Sequence, residues 1–238
     1  MHPHALAGIT SLPTGNLAAP MLIVAATAAL GAACGWALTV AGRRILTSLG
    51  LEPRLIWPTW LTVVLTGGVW GIASACCLWG NRIGALPVIL PTLAVCVVLW
   101  QIDRQHHRLP NVLVLGLYPL VAIGMVVAMI AEHHSTWASV AAGAALWLTV
   151  FALLHLVSRG RGMGLGDVKL APLIGAVLGW FSWDTAILGL LTAFIIGGLW
   201  ATLLLVSRRT GRHAMIAFGP FMILGLGIGL LSALTLAG

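Results

Sequence analysis

The run WASVAAGAALWLTVFALLHLV, from Trp137 to Val157, contains no Asp, Glu, Lys or Arg, and Ser158-Arg159-Gly160-Arg161-Gly162-Met163-Gly164-Leu165-Gly166-Asp167-Val168-Lys169-Leu170 follows it directly. About 20 apolar residues in a helix cross the hydrocarbon core of a bilayer. Basic residues directly after such a run mark an end that stays on the cytoplasmic side. From Arg161 on the stretch is of another kind, with three spaced glycines, one aspartate and one lysine. A carboxylate at the mouth of an apolar helix is poorly solvated, and residues kept there at that cost are functional candidates by default.

The rest of the chain repeats the first half of this pattern. Of 238 residues, 60% are hydrophobic and only 7% are charged, against about a quarter charged in a soluble domain. Apolar runs recur at Ala18–Val40, Trp57–Leu78, Ala85–Ile102, Val112–Ile130, Val168–Phe181, Thr185–Val206 and Ala214–Leu236. With Trp137–Val157 they predict an all-α integral membrane protein, a polytopic bundle of about eight transmembrane helices. The sixth is the shortest, interrupted by Pro172, Gly175 and Gly179.

The cations test that count. Arg43, Arg44 and Arg54 follow the first run, Arg104 and Arg108 the third, Arg159, Arg161 and Lys169 the fifth, and Arg208, Arg209 and Arg212 the seventh. Only Arg82 of the 12 falls on the other side. This segregation predicts both termini outside and accounts for the net charge of +7 without a nucleic-acid partner. Merging the sixth and seventh runs would strand the last cluster outside. The chain therefore reads as one polytopic domain over 1–238 with an extracytoplasmic tail at 1–17. Trp57 and Trp60 are expected in an inner interfacial belt, and Trp79, Trp137, Trp180 and Trp183 in an outer one. Gly225-Leu226-Gly227-Ile228-Gly229 reads as close helix packing. Cys34, Cys76, Cys77 and Cys96 form no C-x-x-C pair, so neither a zinc ribbon nor a disulfide framework is expected.

Five residues are acidic. Glu52 lies in a basic loop, and Glu132 and Asp184 lie in outer turns where solvent reaches them. Asp103 ends the third run and Asp167 begins the sixth. An even number of spans separates them, so they share one side of the membrane whatever the orientation. Two carboxylates within hydrogen-bond range cannot both stay ionised. One then takes a proton from a shared water while the other polarises a peptide carbonyl, and the pair titrates as a unit. Gly162, Gly164 and Gly166 permit backbone conformations closed to other residues and let a substrate strand approach. The plainer reading is a loop whose aspartate caps a helix.

The residues resemble a known family. Gly164-Leu165-Gly166-Asp167-Val168-Lys169-Leu170 is similar to the GxGD signature of the type IV prepilin peptidases, polytopic aspartic proteases of bacteria and archaea. Ile102-Asp103 with Pro110-Asn111 beyond it resembles that family's first catalytic segment. Ala217-Phe218-Gly219-Pro220-Phe221 resembles its Pro-Phe-Gly-Pro-Phe stretch, with Ala217 in place of a proline, and Gly175 to Trp180 fits the glycine-bearing helix after the second aspartate. The likeness runs from Asp103 to Gly225 and marks 103–225 as the catalytic region.

The resemblance implies Asp103 and Asp167 as the catalytic pair, in loops at the cytoplasmic face of a prokaryotic plasma (inner) membrane. It places Gly162, Gly164, Gly166, Lys169, Pro110, Asn111, Gly219 and Pro220 around them. Substrates would be prepilins or pseudopilins, cut after a glycine that precedes their hydrophobic segment. No cofactor and no metal is implied; the partners are those substrates and the lipid bilayer, with a homo-oligomer left open. Many bacterial members carry a large insert after the first span, with paired C-x-x-C motifs that bind zinc, and also N-methylate the new terminus. Here that loop, Ala41 to Ile56, is short and has no cysteine, so a protease without methyltransferase activity is expected.

Other clusters read as bland. His106 and His107 head into a Leu-Pro turn, Glu132-His133-His134 and His2/His4 are weak metal candidates, and His155 sits near an inner helix end. Lys169 is expected to support the Asp167 anion or to meet lipid phosphate. A proton-coupled transporter is the alternative from another class, but carriers place carboxylates near the bilayer midplane between repeats, and no repeat is evident. A presenilin-like GxGD protease has its first aspartate in a Tyr-Asp pair, whereas the only tyrosine here is Tyr118.

Overall fold

The fold follows from a computed structural model, which describes residues 18–52, 55, 57–106, 109–132, 137–158, 164–206 and 217–235. Among the described residues there are eight α-helices, one at each apolar run: α1 Ala18–Ser48, α2 Thr59–Trp79, α3 Leu86–His106, α4 Asn111–Glu132, α5 Trp137–Val157, α6 Leu165–Phe181, α7 Trp183–Val206 and α8 Gly219–Thr235. No strand occurs among the described residues. Six helices, α1 to α5 and α7, are long and apolar enough to cross a membrane. α6 and α8 have 17 residues each. The chain is a polytopic all-α membrane protein.

Three boundaries differ from the sequence reading. α1 continues past Val40 to Ser48, so Arg43 and Arg44 lie on its last turns and not in a loop. It stops at Gly50, whose φ is +70°. The Gly50 and Leu51 amides donate to the Thr47 and Leu46 carbonyls, the Schellman closure that a left-handed glycine makes possible. α3 runs on to His106 and α6 begins at Leu165, so both Asp103 and Asp167 are helical.

In lipid no hydrophobic force drives helix against helix, so contact depends on close packing, and small residues allow it. A Cβ on Gly143 would strike the Gly175 carbonyl, one on Gly175 the Gly143 carbonyl, and one on Gly179 the Ser139 carbonyl. α5 and α6 therefore meet backbone to backbone. α8 lies on α7 in the same way, Gly225 against the Gly189 carbonyl, while Gly229 receives the Leu178 side chain of α6. The expected packing role of this glycine run holds for Gly225 and Gly229; Gly227 faces open space. In the α1–α2 hairpin, Trp70 covers Gly31 and Thr66 covers Gly35.

α3 and α6 hold the centre, with Ile89, Leu99, Ile102, Leu170, Ile174 and Leu178 fully buried. Trp180 belongs to this core, 3% exposed, and not to the outer belt expected of it. Its helix is the one most enclosed by neighbours. Trp60, Trp79, Trp137 and Trp183 are exposed. Trp147 is buried and donates its indole N–H to the Ala186 carbonyl at 3.0 Å. It stacks on Phe151, and a row of aromatic contacts continues through Phe194 and Phe218 to Phe221 at the start of α8.

Gly175→Val forces two backbones apart, and overpacking of this kind costs about 1–3 kcal/mol. The variant is expected to lose solubility in detergent at a lower temperature than the parent. Gly198→Ala, at a position with nothing within 4 Å, serves as the matched control and keeps the parent's melting temperature.

Candidate active site

Asp103 lies in the last turn of α3 and is 4% exposed; Asp167 lies in the first turn of α6 and is 6% exposed. The two carboxylates are close enough to interact electrostatically. The parity of spans thus brings to one site the two aspartates that sequence alone put on one side. Glu52 and Asp184, read as solvated, are exposed.

Local structure holds each one. Gly164 is the N-cap of α6, in extended conformation, and its backbone hydrogen-bonds the Asp167 carboxyl group. The Asp167 amide in turn donates to the Gly164 carbonyl at 3.2 Å. An acidic residue three positions into a helix that reaches back to the cap is half of a capping box. Capping and chemistry are therefore not alternatives for Asp167, since one oxygen can anchor the side chain while the other stays open to a ligand.

Asp103 is met by α8. A Cβ on Gly219 would lie 2.6 Å from Asp103 Oδ2, so the bare glycine lets the start of α8 abut the carboxyl group. Pro220 follows in the first helical turn, where its missing N–H breaks no intrahelical bond. The N-terminus of a helix carries partial positive charge and favours an anion beside it.

The turn after Asp103 docks on the start of α6. A Cβ on Gly166 would lie 2.8 Å from Leu109 Cβ. Gly166 is helical and Gly164 has a φ of −73°, so neither is a glycine for the backbone freedom expected of it; close approach is what Gly166 provides. Gly162 lies outside the described residues. The Pro110 carbonyl accepts from the Leu113 and Val114 amides and so starts α4. Lys169 Nζ donates to Asn111 Oδ1 at 3.0 Å, and the Tyr118 hydroxyl donates to the Lys169 carbonyl at 2.7 Å.

Two polar groups here were not read as part of the site from the sequence. Tyr118 is one. The other is Gln101, fully buried two residues before Asp103. Its Nε2 donates to Thr62 Oγ1 at 3.1 Å, and its Oε1 accepts from the Trp57 amide at 3.3 Å. A buried amide inside an apolar helix needs such partners, and that composition was the available signal. His106 lies in the same last turn of α3, while His107 lies outside the described residues. No cluster of three His, Cys, Asp or Glu that would hold a metal occurs among the described residues.

Residues 90–202, which include both aspartates, match the type IV leader peptidase family. The match covers 113 of the 238 residues. The chain is 31% identical over 135 residues to a prepilin leader peptidase/N-methyltransferase of Stutzerimonas stutzeri, covering 55% of this chain and 44% of that protein. A protein of the same name from Pseudomonas aeruginosa is 35% identical over 138 residues, with the same coverage. One from Escherichia coli K12 is 35% identical over 141 residues, covering 56% of this chain and 58% of its own length. The chain spans about half the length of the curated relatives it matches. No solved structure matches it.

Gln101→Leu removes the bonds that join α3 to α2 and to the segment before it. Hydrogen bonds between membrane helices are worth about 0.6–2 kcal/mol. The variant is expected to melt measurably earlier in detergent than the parent, and Gln101→Glu, which keeps the acceptor for the Trp57 amide and loses the Nε2 donor, is expected to recover part of the loss.

Proposed function

We propose that the chain is an aspartic endopeptidase that removes the leader peptide of type IV prepilins or pseudopilins at the cytoplasmic face of the prokaryotic inner membrane. The observation that supports this reading is two buried aspartates from separate helices, close enough to interact electrostatically, inside the segment that matches the type IV leader peptidase family. Segregation of the cations gives the orientation, with this end inside and both termini outside. The whole of 1–238 then acts as one membrane domain, with the catalytic region at 103–225.

The chemistry follows from the pair. Two carboxylates close together in a poorly solvated place share one proton. The ionised member accepts a proton from a water held between them, and the resulting hydroxide character attacks the scissile carbonyl. The protonated member hydrogen-bonds that carbonyl oxygen and steadies the charge that grows on it. Collapse of the tetrahedral intermediate returns a proton to the leaving amine. Neither aspartate needs a fixed role, because the proton belongs to the pair. The N-terminus of α8 against Asp103 and the capping amide at Asp167 both favour the one negative charge that the dyad keeps.

The reading excludes the N-methyltransferase activity that appears in the names of the curated relatives. Only residues 49–58 link α1 to α2, and they hold no cysteine, so the zinc-binding insert that accompanies methylation in the family is missing at its expected place.

Co-expressed with a cognate prepilin, the chain is expected to shorten it. Asp103→Asn and Asp167→Asn each abolish shortening while the protein stays in the membrane; full processing by either variant would remove the dyad from the mechanism. Mass spectrometry of the mature N-terminus is expected to show an unmethylated amine. Gly219→Ala, which pushes the start of α8 off Asp103, is expected to lower kcat by roughly tenfold to a hundredfold, the scale of a displacement of about 1 Å in an active site.

A further inference from the structure

Lys169 is gripped at both ends by one face of α4. A helical Cβ tilts toward the helix N-terminus, so the Lys169 side chain runs down toward the start of α6, where its Nζ meets Asn111 Oδ1. A helical carbonyl points the other way, and the Lys169 carbonyl receives the Tyr118 hydroxyl. Asn111 and Tyr118 are seven residues apart, close to two helical turns, and so lie on one face of α4. Beneath them Leu109 fills the space left by Gly166. The start of α4, with Leu109 before it, is thus joined three times over a short distance to the turn that carries Asp167, and α4 in turn packs on α3, which carries Asp103. Resting on the peptidase reading above, we propose that Tyr118, with Asn111 and Lys169, is a positioning residue: this clasp sets the spacing of the two catalytic carboxylates.

Tyr118 and Asn111 act through Lys169 and so through the backbone of α6. Lys169 is two residues from Asp167, so holding its carbonyl and its ammonium fixes the rotation and height of the turn that presents the aspartate. The hydroxyl of Tyr118 is exposed on a membrane helix, where hydrocarbon offers no competing partner, so its bond to the carbonyl is kept.

Spacing has a readout of its own. The closer two carboxylates stand, the further apart their two apparent titration steps lie, and a bell-shaped pH–rate profile reports both steps. Tyr118→Phe and Asn111→Ala carry no change of charge near neutral pH. They leave Arg104 and His106 on α3 and Lys169 on α6 in place, and the described part of α8 has no charged or titratable side chain. A change in the shape of the profile therefore reports geometry. Each variant is expected to lower kcat about tenfold with KM within twofold, and to narrow the bell from both sides. Lys169→Arg, which can still reach Asn111, is expected to restore the parent's width. A profile that keeps its width and only loses height, in proportion to the protein recovered in the membrane, would overturn the proposal.

A second measurement does not depend on activity. Cysteines placed at both aspartate positions, Asp103→Cys with Asp167→Cys, report their separation through the rate at which an oxidant cross-links them in membranes. Adding Tyr118→Phe is expected to slow that cross-linking several-fold; an unchanged rate counts against the clasp. Failure of the parent chain to shorten any prepilin would instead count against the peptidase reading, and the cross-linking rate would still decide the clasp.

Discussion

The end of the bundle that holds Asp103 and Asp167 answers to one constraint, the burial of two carboxyl groups near each other in a protein with few charged residues. Asp103 stands at the C-terminal end of α3, the end of a helix that repels an anion. The structure compensates by driving the N-terminus of α8 against it, and only a glycine at 219 leaves room for that. Asp167 stands at the N-terminus of its own helix and needs no such help. Three helix ends converge because two of them offer the partial positive charge that the third withholds.

That convergence requires helices to be held at fixed depth relative to one another, and glycines do this holding. Backbone meets backbone between α5 and α6 and between α7 and α8, where side-chain packing would leave more freedom to slide. The aromatic row from Trp147 to Phe221 ties the two pairs together just behind the start of α8. On the other flank, Gln101 anchors α3 to α2. Each carboxylate thus sits on a helix fixed from the side away from its partner.

Much of this was legible in the sequence. Eight apolar runs gave eight helices, because hydrocarbon leaves a chain few alternatives to the helix. The parity of spans between Asp103 and Asp167 put them at one end without any knowledge of helix packing. What sequence could not supply was why particular residues stand where they do. Gly164 and Gly166 looked like hinges, yet one adopts ordinary extended backbone and the other is helical. Their value is contact, and contact depends on Leu109, which no local pattern picks out. Trp180 looked like an anchor because it closes an apolar run, but its helix is enclosed by neighbours. Gln101 and Tyr118 were not read as part of the site for the same reason, since the meaning of a lone polar residue in a membrane helix lies in what faces it. The loop expected from Ala41 was in fact two more turns of α1, because arginines late in a span extend as readily in a helix as in a turn.

The lengths of α6 and α8 carry a last consequence. The 17 described residues of each rise about 26 Å, short of the ~30 Å of a typical hydrocarbon core, and these two helices touch. A protein wall that is too short draws the lipid surfaces inward at a modest cost per ångström. A short wall of this kind would thin the bilayer beside α6 and α8, the helices that meet Asp103 and carry Asp167. A peptidase built on these carboxyl groups, 4% and 6% exposed, would need water beside them. A thin patch of membrane would supply it without a channel, by bringing the water's edge toward the carboxylates.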